Sequence, residues 1–228
     1  MDIALSYQEK GSGEPLILLH GNGEDSSYFR HQIAYFQDRY RVIALDTRGH
    51  GKSPRGSAPF TIRQFARDLL DFLEIHGIAG AVLLGFSDGA NIAMRFAMEH
   101  PERVKALILN GGNLDPAGVK RSTQLPIEIG YRIARHFAAR SAEARKNAEM
   151  LGLMVNEPNI QPDELSRITM PTLALCGTRD MIRESHSRKI AGSIPGARLV
   201  ILPGTHFLAN RRPAEFNQAV DAFLQTLR

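Results

Sequence analysis

The sequence predicts an α/β protein, an open and mostly parallel sheet covered by helices on both faces. Three observations carry that expectation: short apolar runs recur along the chain, segments of helical period separate them, and the runs lack apolar–polar alternation. A continuous apolar run marks a strand buried on both faces, as inside a parallel sheet flanked by helices. The intervening helices supply the crossovers that parallel pairing requires.

The runs fall at residues 16–19, 42–45, 81–84, 106–109, 172–176 and 199–202, each closed within two residues by Gly, Asp, Asn or Pro. Helical periodicity is plainest over 61–76, where Ile62, Phe65, Leu69, Leu70, Phe72 and Leu73 recur before the stop at Gly77. Residues 88–99 carry Ile92, Ala93, Phe96 and Ala97 ahead of His100-Pro101, and 214–227 carry Phe216, Val220, Phe223 and Leu224. Residues 114–162 break the pattern: no strand run, a helical and polar character, and Arg132, Arg135, Arg140 and Arg145. The stretch is read as an insertion over the C-terminal edge of the sheet, the alternative being one long crossover. The 228 residues otherwise fit a single domain.

Composition narrows the function classes. Apolar residues make up 43% and charged residues 23%, the balance of a folded soluble protein. The 28 Lys and Arg against 24 Asp and Glu give a formal charge of +4, but they are scattered, so no nucleic-acid surface is expected. Cys176 is the single cysteine and lies in an apolar run; it is read as a small buried hydrophobe, with no disulfide or thiolate metal site. No apolar stretch approaches the roughly 18 residues of a membrane span, and the polar residues 1–13 lack a signal-peptide core. A cytoplasmic setting without a membrane partner is expected.

Gly85-Phe86-Ser87-Asp88-Gly89 matches G-x-S-x-G between a predicted strand and a predicted helix, the setting in which that motif presents a nucleophile. The glycines allow a sharp turn in which side chains at 85 or 89 would strike neighbouring elements. Such a turn holds the Ser87 hydroxyl at a helix N-terminus, where developing negative charge is favoured. A serine needs a base. Of eight histidines, including His20, His50 and His100, His206 follows the last strand run on a loop that can lie over the sheet. The base needs a carboxylate: Asp180, after the strand at 172–176, is favoured over Asp115, and the order Ser, Asp, His suits this elbow. The backbone N–H groups of Asp88 and of Asn22, in His20-Gly21-Asn22-Gly23, are the expected donors to an oxyanion.

With Asp46-Thr47-Arg48-Gly49-His50-Gly51-Lys52-Ser53, Pro171-Thr172-Leu173 and Pro203-Gly204-Thr205-His206 added, the chain resembles the α/β-hydrolase superfamily over nearly its whole length. The resemblance implies an eight-stranded, mostly parallel sheet and a short helical cap at 114–162. It also implies Ser87, Asp180 and His206 as nucleophile, acid and base, with no cofactor and no metal. Within the superfamily the elbow and Ala214-Glu215-Phe216-Asn217 are similar to those of valacyclovir hydrolase-like esterases, although Ala90 departs from that pattern. That similarity implies a substrate ammonium bound by Asp88; the other reading of Asp88 is a helix N-cap. Phe86 is a candidate substrate contact. Leu114, Ile127, Ile129 and Met154 would line the pocket or pack the cap.

The expected activity is serine hydrolysis of a small-molecule ester through an acyl-enzyme. C–C bond hydrolysis, a lyase step or cofactor-free perhydrolysis would use the same triad, and a non-catalytic receptor would be favoured only by a broken one. Monomer and homodimer both stay open.

Overall fold

The computed structural model describes residues 2–227. In chain order the elements are β1 (Tyr7–Lys10), β2 (Glu14–Leu19), α1 (Arg30–Phe36), β3 (Tyr40–Leu45), α2 (Ile62–Ile75), β4 (Ala81–Phe86), α3 (Asp88–Glu99), β5 (Val104–Asn110), α4 (Arg121–Phe137), α5 (Ala142–Asn156), β6 (Thr172–Gly177), α6 (Glu184–Ser193), β7 (Arg198–Leu202), α7 (Leu208–Arg211) and α8 (Pro213–Gln225). The strand order across the sheet is β1-β3-β2-β4-β5-β6-β7. β1 runs antiparallel to β3 and the other pairings are parallel.

Every predicted run is a strand, and the absence of alternation has the expected cause. In β2, Ile17 and Leu19 pack with Leu69, Phe72 and Phe96 on the α2–α3 side, while Leu16 and Leu18 pack with Phe36, Phe216 and Val220 under α1 and α8. Each such side chain contributes about 1.5–3 kcal/mol by leaving water. This two-sided core fixes the C-terminal ends of β2, β4, β5, β6 and β7 along one edge of the sheet.

The expected eight strands are seven among the described residues. Residues ahead of Tyr7 bind a loop instead of adding an outer strand. The Ser6 N–H donates to Ser53 Oγ at 2.8 Å, and the Ser6 carbonyl accepts from Asp46 N–H at 2.9 Å. Asp2 takes the fully buried Arg48 guanidinium, which Asp68 shares at 2.7 Å.

Between β5 and β6 the chain makes two long helices, α4 and α5. α4 and α5 approach closely where a Cβ at Gly130 would lie 3.3 Å from Leu151, and one at Gly152 3.3 Å from Tyr131. Gln124 Nε2 donates to the Met154 carbonyl at 3.2 Å, joining the pair. Ile129, expected to pack or line a pocket, is 49% exposed. No described helix is long and apolar enough to cross a membrane.

Candidate active site

The turn from β4 into α3 has the strain its sequence demands. Ser87 sits at φ 55°, ψ −119°, a conformation L-residues adopt only when surroundings enforce it. A side chain at Gly85 would strike the backbone of Gly89 and Ala90, and one at Gly89 the carbonyls of Leu19 and His20. Both glycines are therefore steric necessities. Ser87 occupies the N-cap position but its hydroxyl caps nothing. Asp88 lies in the first turn, so the N-cap reading of Asp88 gives way.

At the neighbouring strand ends, His206 Nδ1 meets Asp180 Oδ1 at 2.7 Å, with both side chains almost wholly buried. Burial would raise the Asp180 carboxyl. The hydrogen bond and charge of His206, with the N–H groups of Ile182 and Gly177, outweigh it and hold the group below the usual range. Asp180 is thus a carboxylate, and Nδ1 is the ring nitrogen that meets it. Nε2 is buried without a hydrogen-bond partner among the described residues. Asp115 is elsewhere: it accepts the Gly118 N–H at 3.1 Å. Of the rival histidines, His20 accepts from Thr47 N–H at 3.0 Å and His50 is pushed down to about 4 by burial.

The Ser87 N–H donates to the Asn110 carbonyl at 2.8 Å, and the next residue, Gly111, lies against the His206 ring. A Cβ at Gly111 would fall 2.6 Å from His206 Cε1. Phe86 meets the same ring from below, centroids 4.8 Å apart, and stacks on Tyr28 at 4.4 Å. Phe86 is only 2% exposed. Enclosed by these rings, it supports the histidine and does not line a pocket, correcting the expectation of a substrate contact.

The loop after β2 closes over the elbow: a Cβ at Gly21 would lie 3.1 Å from Ser87 Cβ. Asn22 Nδ2 donates to Asp88 Oδ2 at 3.0 Å and to the Met150 carbonyl of α5 at 2.8 Å. Asn91 Nδ2 donates to Asp88 Oδ1 at 3.1 Å and to Asn113 Oδ1 at 3.0 Å. Burial pushes the Asp88 carboxyl up against these amides. The backbone N–H groups of Asn22 and Asp88 have no acceptor among the described residues. In the same loop burial lifts the Glu24 carboxyl to about 7 despite the Gly21 N–H at 3.4 Å.

A profile of the alpha/beta hydrolase fold matches residues 14–148, more than half of the chain. The chain belongs to the α/β-hydrolase family. Among relatives, it is 28% identical over 256 aligned positions to 3-oxoadipate enol-lactonase 2 of Acinetobacter baylyi, covering 98% of this chain and 94% of that protein. It is 28% identical over 252 positions to the (E)-2-((N-methylformamido)methylene)succinate hydrolase of the same organism, covering 96% and 94%. The enol-lactonase structure from Burkholderia xenovorans LB400 superposes with a TM-score of 0.82 at 24% identity, over 98% of this chain and 97% of that one, a likeness of fold.

For an α/β-hydrolase the sequence reading missed three supports of the site: Gly111, the Asn91–Asn113 amide pair and the Met150 carbonyl. Gly111 had a faint signal, the Asn110-Gly111-Gly112 turn that ends a strand run. The other two depend on tertiary approach, and no local pattern announces them.

Proposed function

We propose that this α/β-hydrolase is a serine hydrolase of small carboxylic esters, with Ser87 as nucleophile, His206 as base and Asp180 as its orienting carboxylate. The observation that carries the reading is the 2.7 Å Asp180–His206 pair, its Nε2 buried and unpartnered beside the left-handed Ser87 turn. Ser87 Oγ attacks the ester carbonyl and its proton passes to Nε2. The Asn22 and Asp88 N–H groups take the oxyanion, a stabilisation of about 2.7–4 kcal/mol for each donor in comparable sites. His206 then protonates the departing alkoxide, leaving an acyl ester on Ser87. Water, deprotonated by Nε2, releases the acid and restores the serine. The helices α4 and α5, read as the cap, cover the site from the side of Met150.

The enol-lactonase relative, named for a cyclic ester, supports ester cleavage. A panel of p-nitrophenyl esters and simple lactones tests the reading. Turnover that falls by several orders of magnitude in Ser87→Ala is expected; unchanged turnover in that variant overturns the mechanism.

A further inference from the structure

α4 presents an apolar face to solvent. Leu125, Ile129, Ile133 and Phe137 follow one another at four-residue spacing and are 43%, 49%, 56% and 46% exposed. Side chains at that spacing stack along one face of a helix. A helix that buries its apolar face in its own protein would turn these residues inward; here Gln124, 4% exposed, faces inward instead. Ile133 and Phe137 also border a groove of about 470 Å³ between α4 and α5, so the apolar surface continues onto Leu151. Contiguous exposed apolar surface of this kind marks an interaction site.

The charges beside the stripe select the partner. Arg132, one position before Ile133, and Arg140, just past the helix, are exposed beside its C-terminal half, with Glu143 across the groove. Glu128, the one acidic residue within α4, is already paired with Arg121 at 2.7 Å. Two copies meeting through this face would bring arginines together, whereas an anionic surface would be attracted. Arginine stems lie along apolar surface while their heads reach phosphates.

We propose that the exposed face of α4 docks this protein onto an anionic lipid–water interface, with the apolar stripe at the acyl boundary and the arginines at the headgroups. The expectation of no membrane partner rested on the lack of a spanning segment, and a helix lying in the surface needs none.

Co-sedimentation with phosphatidylcholine vesicles, with and without phosphatidylglycerol, tests this. Partition onto the phosphatidylglycerol vesicles is expected, weakened by salt and lost in the Ile129→Glu/Ile133→Glu variant. Arg132→Gln/Arg140→Gln should bind about 25-fold more weakly, about fivefold per arginine. The latter pair keeps the test valid should the glutamates alter folding, which melting temperature would reveal. Absent partition, or equal partition onto neutral vesicles, overturns the proposal. So does a concentration-dependent dimer in sedimentation velocity that the Ile129→Glu/Ile133→Glu variant abolishes, which would assign the face to a second copy.

Discussion

Gly111→Ala is a substitution whose cost divides into two parts that can be measured separately. Gly111 has φ +65°, so any side chain carries backbone strain of about 1–2 kcal/mol. The new methyl would also lie 2.6 Å from His206 Cε1 and 2.8 Å from Nδ1, closer than real Cβ contacts allow. His206 cannot yield freely, because Asp180 holds Nδ1 and Phe86 backs the ring. Overpacking of this kind costs about 1–3 kcal/mol more, and a displacement of the base near 1 Å costs about 100-fold in rate. Gly77→Ala is the control. Gly77 has φ +62° at the end of α2 with nothing within 4 Å of a new Cβ, so it carries the backbone strain alone. Melting temperature and kcat/KM on a soluble ester should therefore separate the two. Both variants lose stability, and only Gly111→Ala loses about 100-fold in kcat/KM. Wild-type activity in Gly111→Ala, or an equal loss in Gly77→Ala, would refute the placement of His206 as the working base.

Asp180→Asn should lower kcat by about 10⁴, as loss of the carboxylate partner does in serine proteases; Asp115→Asn should leave kcat near wild type, and the reverse ranking would reassign the acid. Asp88→Asn should depress turnover of α-amino esters and simple esters together, because both carboxylate oxygens already hold amides of Asn22 and Asn91; a KM rise confined to α-amino esters would instead place a substrate ammonium on Asp88. Glu24→Gln should raise the melting temperature, and more at pH 8 than at pH 5. The folded Glu24 keeps its proton up to about 7 while the unfolded group ionises near the ordinary glutamate value of 4.5. Native protein then binds more protons across that window, so stability falls as pH rises through it and the glutamine removes the fall. A pH-independent difference would contradict the burial of that carboxyl.

The parallel strands were legible because burial on both faces writes them as unbroken apolar runs. β1 was not: Tyr7-Gln8-Glu9-Lys10 is exposed at the sheet edge, where no core selects its residues. α1 and α7 are short, and their apolar contacts come from tertiary packing more than from period. The elbow was readable because Gly85 and Gly89 answer to close approaches that any such turn imposes, and Ser87 stands between them. Phe86 was misread because a motif position shows that a side chain is near the site, not which way it packs. The helices between β5 and β6 resisted reading for a further reason. Ile129 on α4 reads from the sequence as pocket lining or cap packing, and no local pattern shows that it faces solvent.

Reaction with a fluorophosphonate, followed by peptide mass mapping, tests most directly whether Ser87, activated by His206 and Asp180, is the nucleophile. The expected result is a single adduct on Ser87, absent in Ser87→Ala and formed far more slowly in His206→Ala. An unlabelled protein, or an adduct on another residue that persists in Ser87→Ala, would contradict it.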